Sequence, residues 1–116
     1  MGARFLVVED DPDGEFLIER ALIKRFPEAS VQIFGDADDA LQAAKAGEWT
    51  GIVVHRALDV DGIEVVRRLR SLNQAWPIVM VSGRDQQTEA AAAGATRFMR
   101  YMDWQHVAES FSPNDR

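Results

Sequence analysis

Short apolar runs alternate with segments of helical periodicity along the whole chain. The runs are rich in β-branched residues, which favour strands, and they cover residues 5–8, 31–34, 51–55, 77–81 and 96–101. The first run is apolar at every position, as is typical of a strand buried on both faces of a sheet. The fifth run is more polar and suits a strand at a sheet edge. The pattern therefore predicts five strands.

The segments between and after the runs have apolar residues every three or four positions, and this spacing predicts five helices. Pro27 ends the first helix and Gly94 closes the fourth, while Asp36, Asp85 and Asp103 are the predicted N-caps of the second, fourth and fifth helices. The apolar face of the last helix is formed by Trp104, Val107, Ala108 and Phe111.

This alternation of strands and helices predicts an α/β fold, in which a parallel sheet is covered by helices on both faces through right-handed crossovers. A chain of 116 residues is long enough for one hydrophobic core and too short for two. We therefore expect one domain at 1–112. The polar residues 113–116 would be a tail or the start of a linker.

Composition narrows the classes of function. The formal net charge is −6, which argues against a direct nucleic-acid-binding surface. The chain has no cysteine, so a disulfide framework and a thiolate metal site are both excluded. It has neither an apolar run of membrane-spanning length nor the pattern of a signal peptide. We expect a cytoplasmic protein without a membrane partner.

Polar side chains follow four of the predicted strands. In open α/β sheets, ligands bind outside the carboxyl ends of the strands, so the loops at that edge should converge on one site. The acids that follow the first strand are either a cation site or the start of a helix, because Asp before Pro is a common helix start. The converging residues are Glu9 and Asp10, His55 and Arg56, Ser82 and Gly83, and Arg100 and Tyr101.

Four motifs in order resemble the receiver domain of bacterial two-component response regulators. They are the Phe-Leu-Val-Val-Glu-Asp start, Asp61-Gly62, the Pro-Ile-Val-Met-Val-Ser strand and Ala93-Gly94-Ala95. The resemblance covers nearly the whole chain. It implies a flavodoxin-like (βα)5 three-layer sandwich with strand order 2-1-3-4-5. It also implies a phosphorelay pocket with a magnesium ion at the acid pair, a phosphoacceptor Asp, a hydroxyl and a Lys.

The implied pocket is only partly present. Glu9 and Asp10 match the acid pair, which makes Mg²⁺ the one cofactor to consider, and Ser82 matches the hydroxyl. The acceptor Asp falls on His55 if the following loop is one residue shorter, and otherwise on Val54. Neither residue forms an aspartyl phosphate.

The cationic side chain of the family is replaced as well. Its Lys falls on Tyr101, or on Arg100 with a shift of one residue, and Phe98 lies where the family has its switch aromatic. Because the acceptor and the cation serve the same phosphoryl-transfer step, losing both indicates a degenerate receiver. We expect no catalytic residues and no enzyme activity.

The first hypothesis is thus a phosphorylation-independent module that binds a signalling protein: a histidine kinase, an output domain or another regulator. The alternative is a working receiver that uses Asp59 as an unusual acceptor, with Mg²⁺ at Glu9 and Asp10. A third, remote hypothesis is a small flavodoxin-like ligand binder, against which the lack of a Gly-rich phosphate loop speaks.

Two details of the pocket stay open at this point. His55 either joins the acid pair in binding a metal ion or is simply held by those acids. Repulsion between the acids is relieved by a metal ion or by a nearby arginine, for which the candidates are Arg56, Arg84 and Arg100.

The resemblance also implies an interaction surface, because the family binds partners or dimerises through the edge formed by the fourth helix, fifth strand and fifth helix. Aromatic residues and arginine are typical interface anchors. This edge would also serve a homodimer, although Trp104 is equally well explained as a core residue. The candidate interface residues are Arg97, Phe98, Arg100, Tyr101 and Trp104.

Overall fold

Five parallel strands form a single sheet in the computed structural model, which describes residues 2–111. The strands are β1 (Arg4–Val8), β2 (Ser30–Phe34), β3 (Gly51–Val54), β4 (Ile78–Ser82) and β5 (Arg97–Arg100). Their order is β2-β1-β3-β4-β5, which confirms the predicted flavodoxin-like topology. β5 lies at an edge, as its polar pattern predicted.

Helices follow each strand. They are α1 (Pro12–Arg25), α2 (Ala37–Lys45), α3 (Gly62–Leu72), α4 (Gln87–Ala93) and a C-terminal 3₁₀ helix (Tyr101–Ser110). The predicted segment 112–116, including the tail or linker, lies outside the described residues. No helix within residues 2–111 has the length and hydrophobicity to cross a membrane.

Most of the predicted helix limits are confirmed. The Asp36 carboxylate accepts a hydrogen bond from Asp39 N at 2.8 Å and caps α2. The prediction of Asp85 as the N-cap of α4 was wrong by one residue, because Gln86 takes that position; the Asp85 carboxylate still accepts a hydrogen bond from Gln87 N at 3.1 Å. α4 ends at Gly94, whose φ of 109° is a left-handed conformation that favours glycine.

The prediction for the last helix was wrong in two respects. The segment is a 3₁₀ helix that begins at Tyr101, so the predicted strand ends one residue earlier. Asp103 does not precede the helix but lies inside it at a kink, with φ −96° and ψ 18°. The apolar spacing fixed which face is buried, whereas it did not determine the hydrogen-bonding pattern of the backbone.

Two hydrophobic layers lie on opposite faces of the sheet, because successive strand residues point to opposite sides. Leu6, Val8 and Val54 face the layer formed with α2, α3 and α4. Phe5, Val7 and Val53 face the layer formed with α1 and the C-terminal helix. By this alternation, the residues that directly follow Val8 and Val54 emerge on the α1 side of the sheet.

Candidate functional site

Glu9 and His55 meet at the carboxyl ends of the two central strands. Val8 of β1 is in register with Val54 of β3, so the next residue of each strand lies side by side. His55 Nδ1 donates to the Glu9 carboxylate. The Glu9 side chain is fully buried, and its second oxygen accepts from Asp11 N at 3.3 Å. The pocket position left open between Val54 and His55 is therefore occupied by His55, while Val54 is a core residue.

Asp10 and Arg56 form a second pair beside the first. Arg56 Nε lies 2.6 Å from Asp10 Oδ1 and 3.9 Å from Glu9 Oε2. The hydrogen bond to Asp10 raises the pKa of the Arg56 guanidinium, and the negative charge of Asp10 raises it further. Of the three arginines considered for neutralising the acids, Arg56 is the one that forms ion pairs with them.

The ring of Tyr101 covers His55. The two ring centroids are 4.5 Å apart and the planes differ by 8°. Burial raises the pKa of the Tyr101 phenol, and the negative charges of Glu9, Asp11 and Asp13 add to this shift. Of the two candidates for the family's cationic position, Tyr101 is thus the one that contacts His55, and it contributes an aromatic ring rather than a positive charge.

Ser82 lies in the pocket, but its hydroxyl is already engaged. Ser82 Oγ donates to Gln86 Oε1 at 2.7 Å and accepts from Arg84 N at 3.2 Å. Both Ser82 and Gln86 are buried. Arg100 is exposed on the rim, where its Nη2 donates to Gly83 O at 2.7 Å.

Gly14 in the first turn of α1 makes room for the Glu9 carboxylate. A Cβ at this position would overlap the Glu9 side chain. Sequence reasoning missed this role, although a glycine inside a helix, where it costs stability relative to alanine, was the available signal. It also missed Gln86, for which no sequence pattern pointed to the pocket.

A cavity of about 510 Å³ opens over these residues. Its lining combines donors, acceptors and one apolar side chain, and includes His55, Arg56, Met80, Ser82, Gln86 and Tyr101. The converging loops predicted from the sequence therefore do meet at one place.

Asp11 and Asp59 differ in their relation to this cluster: Asp11 lines the cavity and its backbone N donates to Glu9, whereas Asp59 is not among the residues that line the cavity. Asp11 occupies the N-cap position of α1 before Pro12, yet its side chain makes no capping hydrogen bond. Asp59 Oδ1 accepts from Ala37 N at 2.8 Å, at the start of α2, and this bond lowers the Asp59 pKa. The Asp59 carboxylate thus serves a neighbouring helix.

Glu9 and Asp10 do not fit a magnesium ion in this arrangement. Within residues 2–111, no group of three or more His, Cys, Asp or Glu side chains is placed to hold a metal ion. Glu9 accepts hydrogen bonds from His55 and from Asp11 N, and Asp10 forms an ion pair with Arg56. A cation would have to displace these partners.

The five predicted interface residues lie in three places, and one of them, Tyr101, lines the cavity over His55. Arg97, Phe98 and Arg100 line a groove of about 430 Å³ along β5. Trp104 is half-buried and lies beside Arg20 and Lys24 of α1, on the other side of the C-terminal helix. Its indole packs against the core layer formed with α1. Trp104 is therefore not part of the β5 groove.

The family model named response regulator receiver domain matches residues 5–103. The chain belongs to this family, whose members are signalling domains of two-component systems. It is 34% identical over 92 residues to the transcriptional regulatory protein TcrA of Mycobacterium tuberculosis H37Rv. That match covers 78% of this chain and 36% of TcrA, so the chain corresponds to only part of its relative.

Solved structures share the fold. The receiver domain of a sensor histidine kinase from Pseudomonas aeruginosa PAO1, which has a magnesium ion coordinated in its active-site cleft, superposes with a TM-score of 0.77 at 21% identity. That match covers 96% of this chain and 98% of the other. The phosphorylated cyanobacterial phytochrome response regulator RcpA gives a TM-score of 0.83 at 15% identity, covering 100% and 98%.

Proposed function

We propose that this receiver domain signals without being phosphorylated and acts by binding another signalling protein: a histidine kinase, an output domain or another regulator. The observation that carries the proposal is His55 at the end of β3, hydrogen-bonded to the buried Glu9. A receiver accepts its phosphoryl group on a carboxylate. An imidazole at this position cannot form that acyl phosphate.

The replacement of the cationic side chain supports the same proposal. A transferred phosphoryl group needs positive charge to stabilise it. Tyr101, whose raised pKa keeps the phenol neutral, covers the pocket instead. The Ser82 hydroxyl is also already hydrogen-bonded to Gln86 and to Arg84 N.

The alternative, a working receiver with Asp59 as acceptor and Mg²⁺ at Glu9 and Asp10, is less well supported. The Asp59 carboxylate is bonded to Ala37 N at the start of α2. Asp10 is paired with Arg56. Phosphorylation of Asp59 would leave Oδ1 as an uncharged carbonyl and so weaken the hydrogen bond that helps to order α2.

The β5 groove is the surface we propose for the partner. The exposed Arg97 and Arg100 flank the half-buried Phe98 along an edge strand, and arginine and aromatic residues are typical interface anchors. A second copy of the chain is one partner that this edge would fit.

Intact-mass measurement after incubation with a small-molecule phosphodonor and Mg²⁺ tests whether the domain accepts a phosphoryl group. We expect no stoichiometric gain of a phosphoryl group. A gain of one phosphoryl group that is absent from Asp59→Asn would establish the alternative. A gain retained in that variant would also overturn the proposal and would point to another acceptor.

Affinity capture from the source cells, with the bound proteins identified, tests the partner surface. We expect a two-component protein to be retained by the native domain and lost with Arg97→Glu/Arg100→Glu. The matched control is Arg67→Glu/Arg68→Glu, which reverses two charges on α3. Equal retention by both variants would exclude the β5 groove.

A further inference from the structure

We infer that His55 and Arg56 take the place of a divalent cation at Glu9 and Asp10, so that the folded domain neither needs nor binds one. This goes beyond the proposed function, because it concerns how the acid pair is satisfied and not what the domain binds. A domain could bind its partner whether or not this inference holds.

Glu9 and Asp10 need partners in the folded state. Two adjacent carboxylates repel each other, and a buried carboxylate is costly unless donors satisfy it. Glu9 is fully buried, so water does not stabilise its charge. Some group with hydrogen-bond donors or positive charge must therefore face this pair in the folded state.

The chain supplies those groups from two consecutive positions. His55 Nδ1 donates to Glu9, and Arg56 Nε lies 2.6 Å from Asp10. The guanidinium also lies 3.9 Å from the second oxygen of Glu9, so one positive charge faces both acids. This is the position that a bridging cation would have to occupy.

The packing of the pocket leaves Glu9 and His55 little freedom to exchange these partners for a metal ion. Glu9 is packed beneath Gly14, where even a Cβ would overlap its carboxylate. Tyr101 stacks on the outer face of the His55 ring. A hydrated Mg²⁺ ion, which demands near-octahedral oxygen ligands, would have to displace the arginine and to compete with the imidazole.

The test removes the two internal partners and asks whether metal binding appears. The chelator-treated domain is titrated with Mn²⁺, and free Mn²⁺ is followed by its electron paramagnetic resonance signal. We expect the native domain to leave the signal unchanged. His55→Asp/Arg56→Ala presents three carboxylates with no internal cation, and we expect it to bind one Mn²⁺ per chain, displaceable by Mg²⁺.

A matched control has the same changes elsewhere. His106→Asp/Arg67→Ala alters a histidine and an arginine that also face glutamates, Glu109 and Glu64, and we expect no binding. Arg56→Ala alone serves if the double variant does not fold, since Arg56 is 58% exposed. Its melting temperature should rise with millimolar Mg²⁺ and that of the native domain should not.

Two results would overturn the inference. One is stoichiometric Mn²⁺ binding by the native domain that Asp10→Asn abolishes, because the acid pair would then be available as it stands. The other is the absence of binding in both Arg56→Ala and the double variant, because the two residues would then not be what keeps a cation out.

Discussion

His55 and Tyr101 stack in parallel at the mouth of the pocket, with ring centroids 4.5 Å apart and an angle of 8° between the planes. In this family the corresponding strand ends hold a phosphoacceptor and a cation. Here two rings lie in contact, so the ends of β3 and β5 are joined by packing between aromatic side chains.

We expect Tyr101→Ala to lower the free energy of unfolding by about 1–3 kcal/mol, because it removes a half-buried ring and an aromatic contact. Tyr101→Phe keeps the stack and should cost less than about 1 kcal/mol. Urea denaturation measures both values. If the two variants lose the same stability, the phenolic oxygen is more important than the stacked ring.

Gly14→Ala should destabilise the fold by about 1–3 kcal/mol through overlap with Glu9. This is the opposite of the usual effect in a helix, where alanine is favoured by about 1 kcal/mol. Thermal denaturation followed by circular dichroism provides the measurement. Gly83→Ala is the control, since its Cβ would meet no atom within 4 Å. A stabilised Gly14→Ala would mean that Glu9 moves freely.

Arg70 links the end of α3 to the connection between α4 and β5, because its guanidinium donates to Asn73 O at 3.0 Å, Gly94 O at 2.9 Å and Thr96 Oγ1 at 3.3 Å. Hydrogen bonds from charged groups contribute about 1.5–3 kcal/mol, so Arg70→Ala should destabilise the fold by a similar amount. Arg67→Ala, which breaks a surface pair with Glu64, should cost at most about 1 kcal/mol. Comparable losses in chemical denaturation would contradict this.

The stability of the fold should fall in acid partly through Asp59. The hydrogen bond from Ala37 N lowers the Asp59 pKa in the folded state. A lowered folded-state pKa contributes stability above the unfolded value of about 3.9, and this is lost as pH falls through the folded-state pKa.

The check is urea denaturation of the native domain and Asp59→Asn between neutral pH and acid. We expect the native domain to be the more stable at neutral pH, and the difference to shrink as pH falls below about 4. Glu28→Gln removes one negative charge from an exposed position as a control. A difference between native and Asp59→Asn that does not vary with pH would argue against this hydrogen bond.

The strand order and both hydrophobic layers could be expected from the sequence. Burial on two faces leaves an apolar pattern over many residues, and the resemblance to a family also rests on many positions. The choice between Val54 and His55 could not, because it depends on the register of β1 against β3. The same holds for Trp104, whose side of the last helix depends on a 3₁₀ backbone and a kink at Asp103. Such choices depend on contacts between distant segments.

The contacts of the pocket also have a consequence for how it opens. Glu9 and Asp10 are neighbours in one loop, and their partners His55 and Arg56 are neighbours in another, 46 residues away. Once one contact has formed, the second forms at a high effective concentration, as in a chelate. The two loops should therefore separate in one concerted step. If only one of the two contacts breaks, it should form again before the other one breaks.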